Sequence, residues 1–176
     1  MKRDHLEHII RAVGGIAGER DLIVIGSQAI LGQFPNAPAE LLISQEADVF
    51  LRSAPASSDF IDGSIGEDSP FHRTFGYYAH GVGETTAILP RGWRDRLVLV
   101  ENENTLHIRG WCLEVHDLAI AKYAAGREKD LDFTNALARH AMVDRKILEQ
   151  RLSITPLDDT IRNLIAARIV RDFATM

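Results

Sequence analysis

Two stretches decide how this chain is read: Leu22-Ile23-Val24-Ile25-Gly26-Ser27-Gln28-Ala29-Ile30 and Glu46-Ala47-Asp48-Val49-Phe50-Leu51. In the first, a short apolar run rich in β-branched residues predicts a buried strand over 22–25. It ends at Gly26-Ser27, and the residues from Gln28 to Leu31 read as helical. Glycine lets a backbone approach a ligand closely. A hydroxyl and the free N–H groups of a helix start can hold a phosphate. The plainer meaning is a simple strand-to-helix turn, and the motif taken alone favours it.

The second stretch predicts a strand over 47–51, closed by Pro55. Glu46 and Asp48 are two apart, so a strand points both to one face and turns Ala47, Val49 and Leu51 to the core. Paired carboxylates on one rim suit a magnesium ion bound to nucleotide phosphates. A solvated strand edge is the alternative. Phe50 falls on the carboxylate face and favours a half-buried, purposeful surface.

Outward from these stretches, Leu6, Ile9, Ile10, Val13 and Ile16 recur at helical spacing, which predicts an amphipathic helix over 4–18 stopped by Gly18. Residues 57–70 are polar and predict a short helix or loop; 75–89 predict strands joined by turns. Segments 97–100, 105–108 and 111–115 read as short strands, with Asn102, Asn104 and Gly110 in the turns. Their short connections predict antiparallel neighbours. Helices are expected over 117–126, 129–139 and 144–151. Thr155-Pro156-Leu157-Asp158 announces a last helix running to about Phe173, with Thr155 as its cap. The order predicts an α+β fold: a small mixed sheet flanked by helices, then a helical C-terminal region. The expected division is a core over 1–115 and a helical part over 116–176 packed on it as one compact unit.

Composition narrows the classes. The chain has 176 residues, 45% apolar and 26% charged, values of an ordinary globular protein rather than a disordered or collagenous one. Twenty Lys and Arg against 25 Asp and Glu give a net charge of −5, which is no general clamp for nucleic acid. Cys112 is the single cysteine, so no internal disulfide forms. No apolar stretch approaches the roughly 20 residues that a bilayer span requires. The expected location is the cytoplasm, away from any membrane.

A third block lies further on: His116-Asp117-Leu118, Lys122, and Arg127-Glu128-Lys129-Asp130. Asp117 suits a helix start. Lys122 is the only cation in the mostly apolar segment 118–125 and is either its one solvated position or a charge aimed at a ligand. Glu114, on the strand expected over 111–115, is a candidate third carboxylate or a plain surface residue.

In this order the three blocks resemble the minimal nucleotidyltransferases, in particular the group that includes the effector of the AbiE abortive-infection systems and related toxins. The resemblance runs over 22–140 and rests on Ile25-Gly26-Ser27-Gln28-Ala29-Ile30, Ser44-Gln45-Glu46-Ala47-Asp48-Val49, Asp117-Leu118 with Lys122, and Lys129-Asp130. It implies that Gly26 and Ser27 contact a nucleoside triphosphate and that Glu46 and Asp48 bind Mg2+ or Mn2+. Lys122 would pair with phosphate charge, and Asp130 would complete the acidic set. The implied reaction is attack of an acceptor hydroxyl, on an RNA end or a protein, at the α-phosphate, with pyrophosphate released. It also implies a toxin or effector role beside a cognate antitoxin. The sequence departs from the pattern in three ways: 18 residues separate Ser27 from Glu46, the first carboxylate is Glu rather than Asp, and Leu42 stands where a basic residue is usual. These departures leave two rivals. One is a catalytically inactive module that keeps the fold for binding; the other is an antitoxin-like binding protein in which Glu46 and Asp48 are merely solvated.

Other signals point elsewhere only weakly. Of seven histidines only His5 and His8 are close, without cysteine partners, so a zinc site is not supported. No Gly-x-Ser-x-Gly turn is present, and Gly81 and Gly83 lack the third glycine of a dinucleotide site. Arg91, Arg94 and Arg96 around Trp93 form a basic patch suited to an acceptor nucleic acid or simply to solvent.

Overall fold

The computed structural model describes residues 1–55 and 59–174. It divides into two units: Met1–Thr86 with Leu97–Leu113, and Ala87–Arg96 with Glu114–Met176.

The first unit is built on a five-stranded mixed sheet. Its strands are β1 (Asp21–Val24), β2 (Glu46–Leu51), β3 (Tyr78–Gly81), β4 (Val98–Val100) and β5 (Arg109–Cys112), in the order β3-β2-β1-β5-β4. β1 runs antiparallel to β2 and parallel to β5; β3 is parallel to β2, and β4 antiparallel to β5. Leu22, Ile23 and Val24 are fully buried because β1 is the central strand. The first helix, α1 (Arg3–Ala17), ends at Gly18 in the left-handed conformation and buries Leu6, Ile9, Ile10 and Val13. Burying four such side chains contributes roughly 1.5–3 kcal/mol each. Ile16, counted in the same apolar stripe, is exposed.

The segment after Gly26 is a 3-10 turn, Ser27–Ala29, that runs into the single helical turn α2 (Ile30–Gln33). Of the expected short helix over 57–70, positions 57 and 58 lie outside the described residues; the rest holds α3 (Asp59–Ile65). The 75–89 region is a partial correction. Among the described residues it holds one strand, β3, and a 3-10 turn, Glu84–Thr86. Just before β3 stands α4 (Pro70–Phe75), started by Ser69, whose Oγ accepts from the His72 N–H at 3.1 Å, with Pro70 in the first turn.

The strand expected over 105–108 does not form. Asn102 accepts from the Thr105 N–H at 3.1 Å and closes a 3-10 turn, Glu103–Thr105. Leu106 and His107 then take φ of 50° and 59°, which is incompatible with an extended chain. The next expected strand, 111–115, starts earlier and stops at Cys112.

The second unit is helical: α5 (Val115–Ala125), α6 (Glu128–Arg139), α7 (Arg145–Ser153) and α8 (Asp159–Ala174). Glu114 ends the extended backbone by capping α5, accepting from the N–H groups of His116 and Asp117 at 3.1 and 3.4 Å. α5 packs against α6, α7 and α8, and Leu118, Ile120 and Tyr123 are fully buried. Tyr123 donates to the buried Asp172 at 2.9 Å, a bond that ties α5 to α8. The cap of α8 is Asp158, whose Oδ1 accepts from the Ile161 N–H at 2.9 Å; Thr155 instead donates to the Arg151 carbonyl. Ala87–Arg96 belongs with these helices because Arg96 forks onto Asp117, at 2.8 and 3.1 Å, and the Arg91 N–H donates to the Ile154 carbonyl.

Among the described residues no helix is long and apolar enough to cross a membrane.

Candidate functional site

β2 carries the two carboxylates as its alternation requires. Ala47 and Val49 are fully buried, whereas Glu46 and Asp48 keep about a third of their side-chain surface in solvent, 34% and 28%. Phe50, on the same face one step beyond, is fully buried, so the carboxylates stand at a rim.

The parallel register of β2 and β3 sets Tyr78 beside Glu46 and His80 beside Asp48. Paired residues on adjacent strands share a face, so four polar side chains converge there. His80 Nδ1 lies 2.9 Å from Glu46 Oε1 and 3.2 Å from Asp48 Oδ1. The Tyr78 hydroxyl donates to Glu46 Oε2 at 3.4 Å. Glu46, Asp48 and His80 each offer one ligand atom, and the three atoms lie within 4.8 Å of one another. Asp62 accepts from the Gly81 N–H at 3.0 Å and anchors the end of β3 next to His80.

Burial acts to raise Glu46, but hydrogen bonding with Asp48 and His80 outweighs it and holds the carboxyl below its ordinary value. Burial acts to lower His80, yet the hydrogen bond and charge of Glu46, with Asp48 and Asp62 behind them, hold the imidazole above its ordinary value. The Tyr78 phenol is pushed up to about 12, by burial first and then by the Glu46 charge.

The Gly26-Ser27 turn belongs to this site. The Ile25 N–H donates to the Asp48 carbonyl at 3.0 Å, continuing the β1–β2 ladder. A Cβ on Gly26 would sit 2.0 Å from Asp48 Oδ2 and 2.9 Å from Asp48 Cβ. No L-residue other than glycine fits there unless Asp48 moves. Next to it, Gln28 is fully buried, and neither of its amide atoms has a hydrogen-bond partner among the described residues.

Lys122 and Asp130 lie in the second unit and meet each other. Lys122 Nζ is 3.0 Å from Asp130 Oδ1 and stands over the Phe133 ring. Arg127 Nε takes the other oxygen at 2.6 Å. Burial acts to raise Asp130, and Arg127 and Lys122 outweigh it, so the carboxyl sits below its ordinary value. Glu114 caps α5 and accepts from His116 Nδ1 at 2.6 Å, while His116 Nε2 accepts from the Asp144 N–H. The arginine patch is partly engaged in the same unit. Asp117, wholly buried, has Arg96 and Arg151 Nε on it at 2.8 and 3.0 Å, and Arg94 stacks over Trp93.

Sequence reasoning missed His80 and Tyr78. Their signal was the alternation Tyr78-Ala79-His80 inside a stretch read as extended. What made them site residues was the pairing with β2, which sequence does not display. His5 and His8 sit in an aromatic cluster: His5 stacks on Tyr77 and His8 bonds the Tyr77 hydroxyl at 2.8 Å.

A family model described as "Nucleotidyltransferase of unknown function (DUF6036)" matches residues 4–174. No curated protein and no solved structure matches the chain.

Proposed function

Because the chain belongs to this family of nucleotidyltransferases of unknown function, we propose that it moves a nucleoside monophosphate from a nucleoside triphosphate to an acceptor hydroxyl, with Glu46 and Asp48 holding a divalent ion. The observation that carries this reading is the convergence of Glu46, Asp48 and His80 on one rim, with the Gly26 turn against Asp48. The donor set fits a divalent cation: two carboxylates and one imidazole, all partly exposed. Such an ion, when bound, would supply positive charge against the phosphates.

The chain's own residues do the rest. Gly26 lets the Asp48 carboxylate lie directly against its backbone, in the space where a side chain would stand. Ser27 offers its hydroxyl and N–H at the start of the turn. The Asp48 carboxylate orients the incoming group. The roles of Lys122 at phosphate charge and of Asp130 in the acidic set rest on the sequence resemblance, as do an RNA-end or protein acceptor and a toxin or effector role.

The test is a scan of nucleoside triphosphates labelled at the α-phosphate against RNA and protein acceptors, with Mg2+ and with Mn2+. Label should pass to an acceptor with wild type and fail with Asp48→Asn. In parallel, metal plus triphosphate should raise the melting temperature by linkage, worth about 2.7 kcal/mol at a hundredfold excess over Kd, and Asp48→Asn should lose that shift while staying folded. Binding without transfer would leave an inactive nucleotide-binding module. Neither binding nor transfer would leave the carboxylates as solvated surface.

A further inference from the structure

We infer that His80 is the third protein ligand of the ion at Glu46 and Asp48, and that it tunes the site to Mn2+ and later first-row ions over Mg2+. The inference rests on the metal reading above and adds to it the ligand and the class of ion.

The placement argues first. His80 stands on β3, an edge strand of the sheet, in register with Asp48. Half of its side-chain surface is exposed, which leaves the approach open. Nδ1 is the nitrogen turned to the carboxylates, at 2.9 and 3.2 Å from one oxygen of each. An ion with bonds of roughly 2.1 Å holds neighbouring octahedral ligands roughly 3 Å apart. Nδ1 is therefore already at that spacing from one oxygen of each carboxylate, and the three donor atoms lie within 4.8 Å of one another.

Supporting contacts orient the donors. Tyr78 engages Glu46 Oε2 and leaves Oε1 as the oxygen nearest His80. Asp62 holds the Gly81 N–H and so fixes the strand end that carries the imidazole. Such outer contacts set ligand direction in metal sites.

Ligand chemistry argues second. Mg2+ takes oxygen ligands and gives up its water reluctantly. Imidazole nitrogen is a softer donor, and affinity for it rises from Mn2+ through the first-row series to Cu2+. Replacing an oxygen by Nδ1 therefore lowers relative affinity for Mg2+ and raises it for transition ions.

Calorimetric titration of the full chain without nucleotide, with MnCl2 and with MgCl2 separately, tests this. Wild type should bind Mn2+ at least about tenfold more tightly than Mg2+. His80→Asn places an amide oxygen or nitrogen near the present Nδ1, and it should narrow that ratio to about threefold or less while the melting temperature holds. Spin-echo spectroscopy of the Mn2+-loaded wild type should show nitrogen coupling from a coordinated imidazole, lost in the variant. This readout needs only the wild type, so it stands even where the variant does not fold. Equal affinity for the two ions, or no nitrogen coupling in wild type, or a coupling that survives His80→Asn, would overturn the role of His80 while leaving a carboxylate metal site. Failure of both ions to bind would overturn the site itself.

Discussion

Gly26 and Asp48 share one space: a methyl group at position 26 would lie 2.0 Å from the Asp48 carboxylate oxygen and 2.9 Å from its Cβ. The turn after β1 and the second carboxylate of β2 are thus one device, although 21 residues lie between them in sequence. Because Asp48 Cβ is also too close, rotating the carboxylate does not relieve the clash, and the backbone must give.

Gly26→Ala is accordingly expected to damage the site before it damages the fold. Overpacking of this kind costs about 1–3 kcal/mol. Metal affinity should fall by about tenfold or more, since ligands displaced by an ångström lose their geometry. Calorimetry with Mn2+ and a thermal melt measure the two effects. Wild-type metal affinity in Gly26→Ala would separate the turn from the site.

The ammonium of Lys122 is held by Asp130, and both side chains are largely buried, at 14% and 1% exposed. Lys122→Met removes one charged hydrogen bond to Asp130 and leaves that of Arg127 in place. Stability should drop by about 1–3 kcal/mol. Lys122→Met combined with Asp130→Asn should cost less than the sum of the two single changes. Urea midpoints of the four proteins decide it: strictly additive losses would mean that the pair contributes nothing to the fold.

Glu7 gives the chain an acid-sensitive anchor. It is 6% exposed and accepts from Arg3 Nε and Asn102 Nδ2, both at 2.8 Å, and from Asn104 Nδ2 at 2.9 Å. Burial acts to raise its carboxyl, but the three hydrogen bonds outweigh burial and hold it below its ordinary value of 4.5. A group lowered in the folded state binds fewer protons there than when unfolded. Its contribution is therefore complete above about pH 5 and is lost as pH falls through 4.5 and then through the lower folded value. Glu7→Gln should flatten this part of the stability profile and lower stability at pH 7. Chemical denaturation from pH 3 to 7 supplies the profile, and an identical acid slope in the variant would clear Glu7 of the role.

Gln28 carries, in a fully buried place, an amide with no hydrogen-bond partner among the described residues. Burying such a group unpaired costs about 1–3 kcal/mol. Gln28→Met, of similar length, should therefore raise stability by about 1–2 kcal/mol. A lowered melting temperature would show that the amide is satisfied by an ordered water or a ligand.

Much of this was legible along the chain. The apolar run 22–25 predicted a buried strand, because a strand covered on both faces needs no polar residue, and 22–24 are fully buried. Alternation in 46–51 placed Glu46 and Asp48 on one face, since successive side chains of a strand must point oppositely. The stops at Gly18 and Gly126 followed from the left-handed backbone that ends a helix. These are local matters, settled by each residue's own geometry and its near neighbours.

The tertiary structure decided whatever depends on distant partners. Thr105, a good strand residue, ends a turn because Asn102 bonds its N–H. Lys122 is matched by Asp130 through the packing of α5 on α6. His80 became a companion of Glu46 and Asp48 only when β3 paired in parallel with β2, 32 residues from Asp48 in sequence. Strand periodicity says which side chains share a face. Which strand lies alongside, and in what register, is set by the whole sheet's burial, and no stretch of sequence contains it.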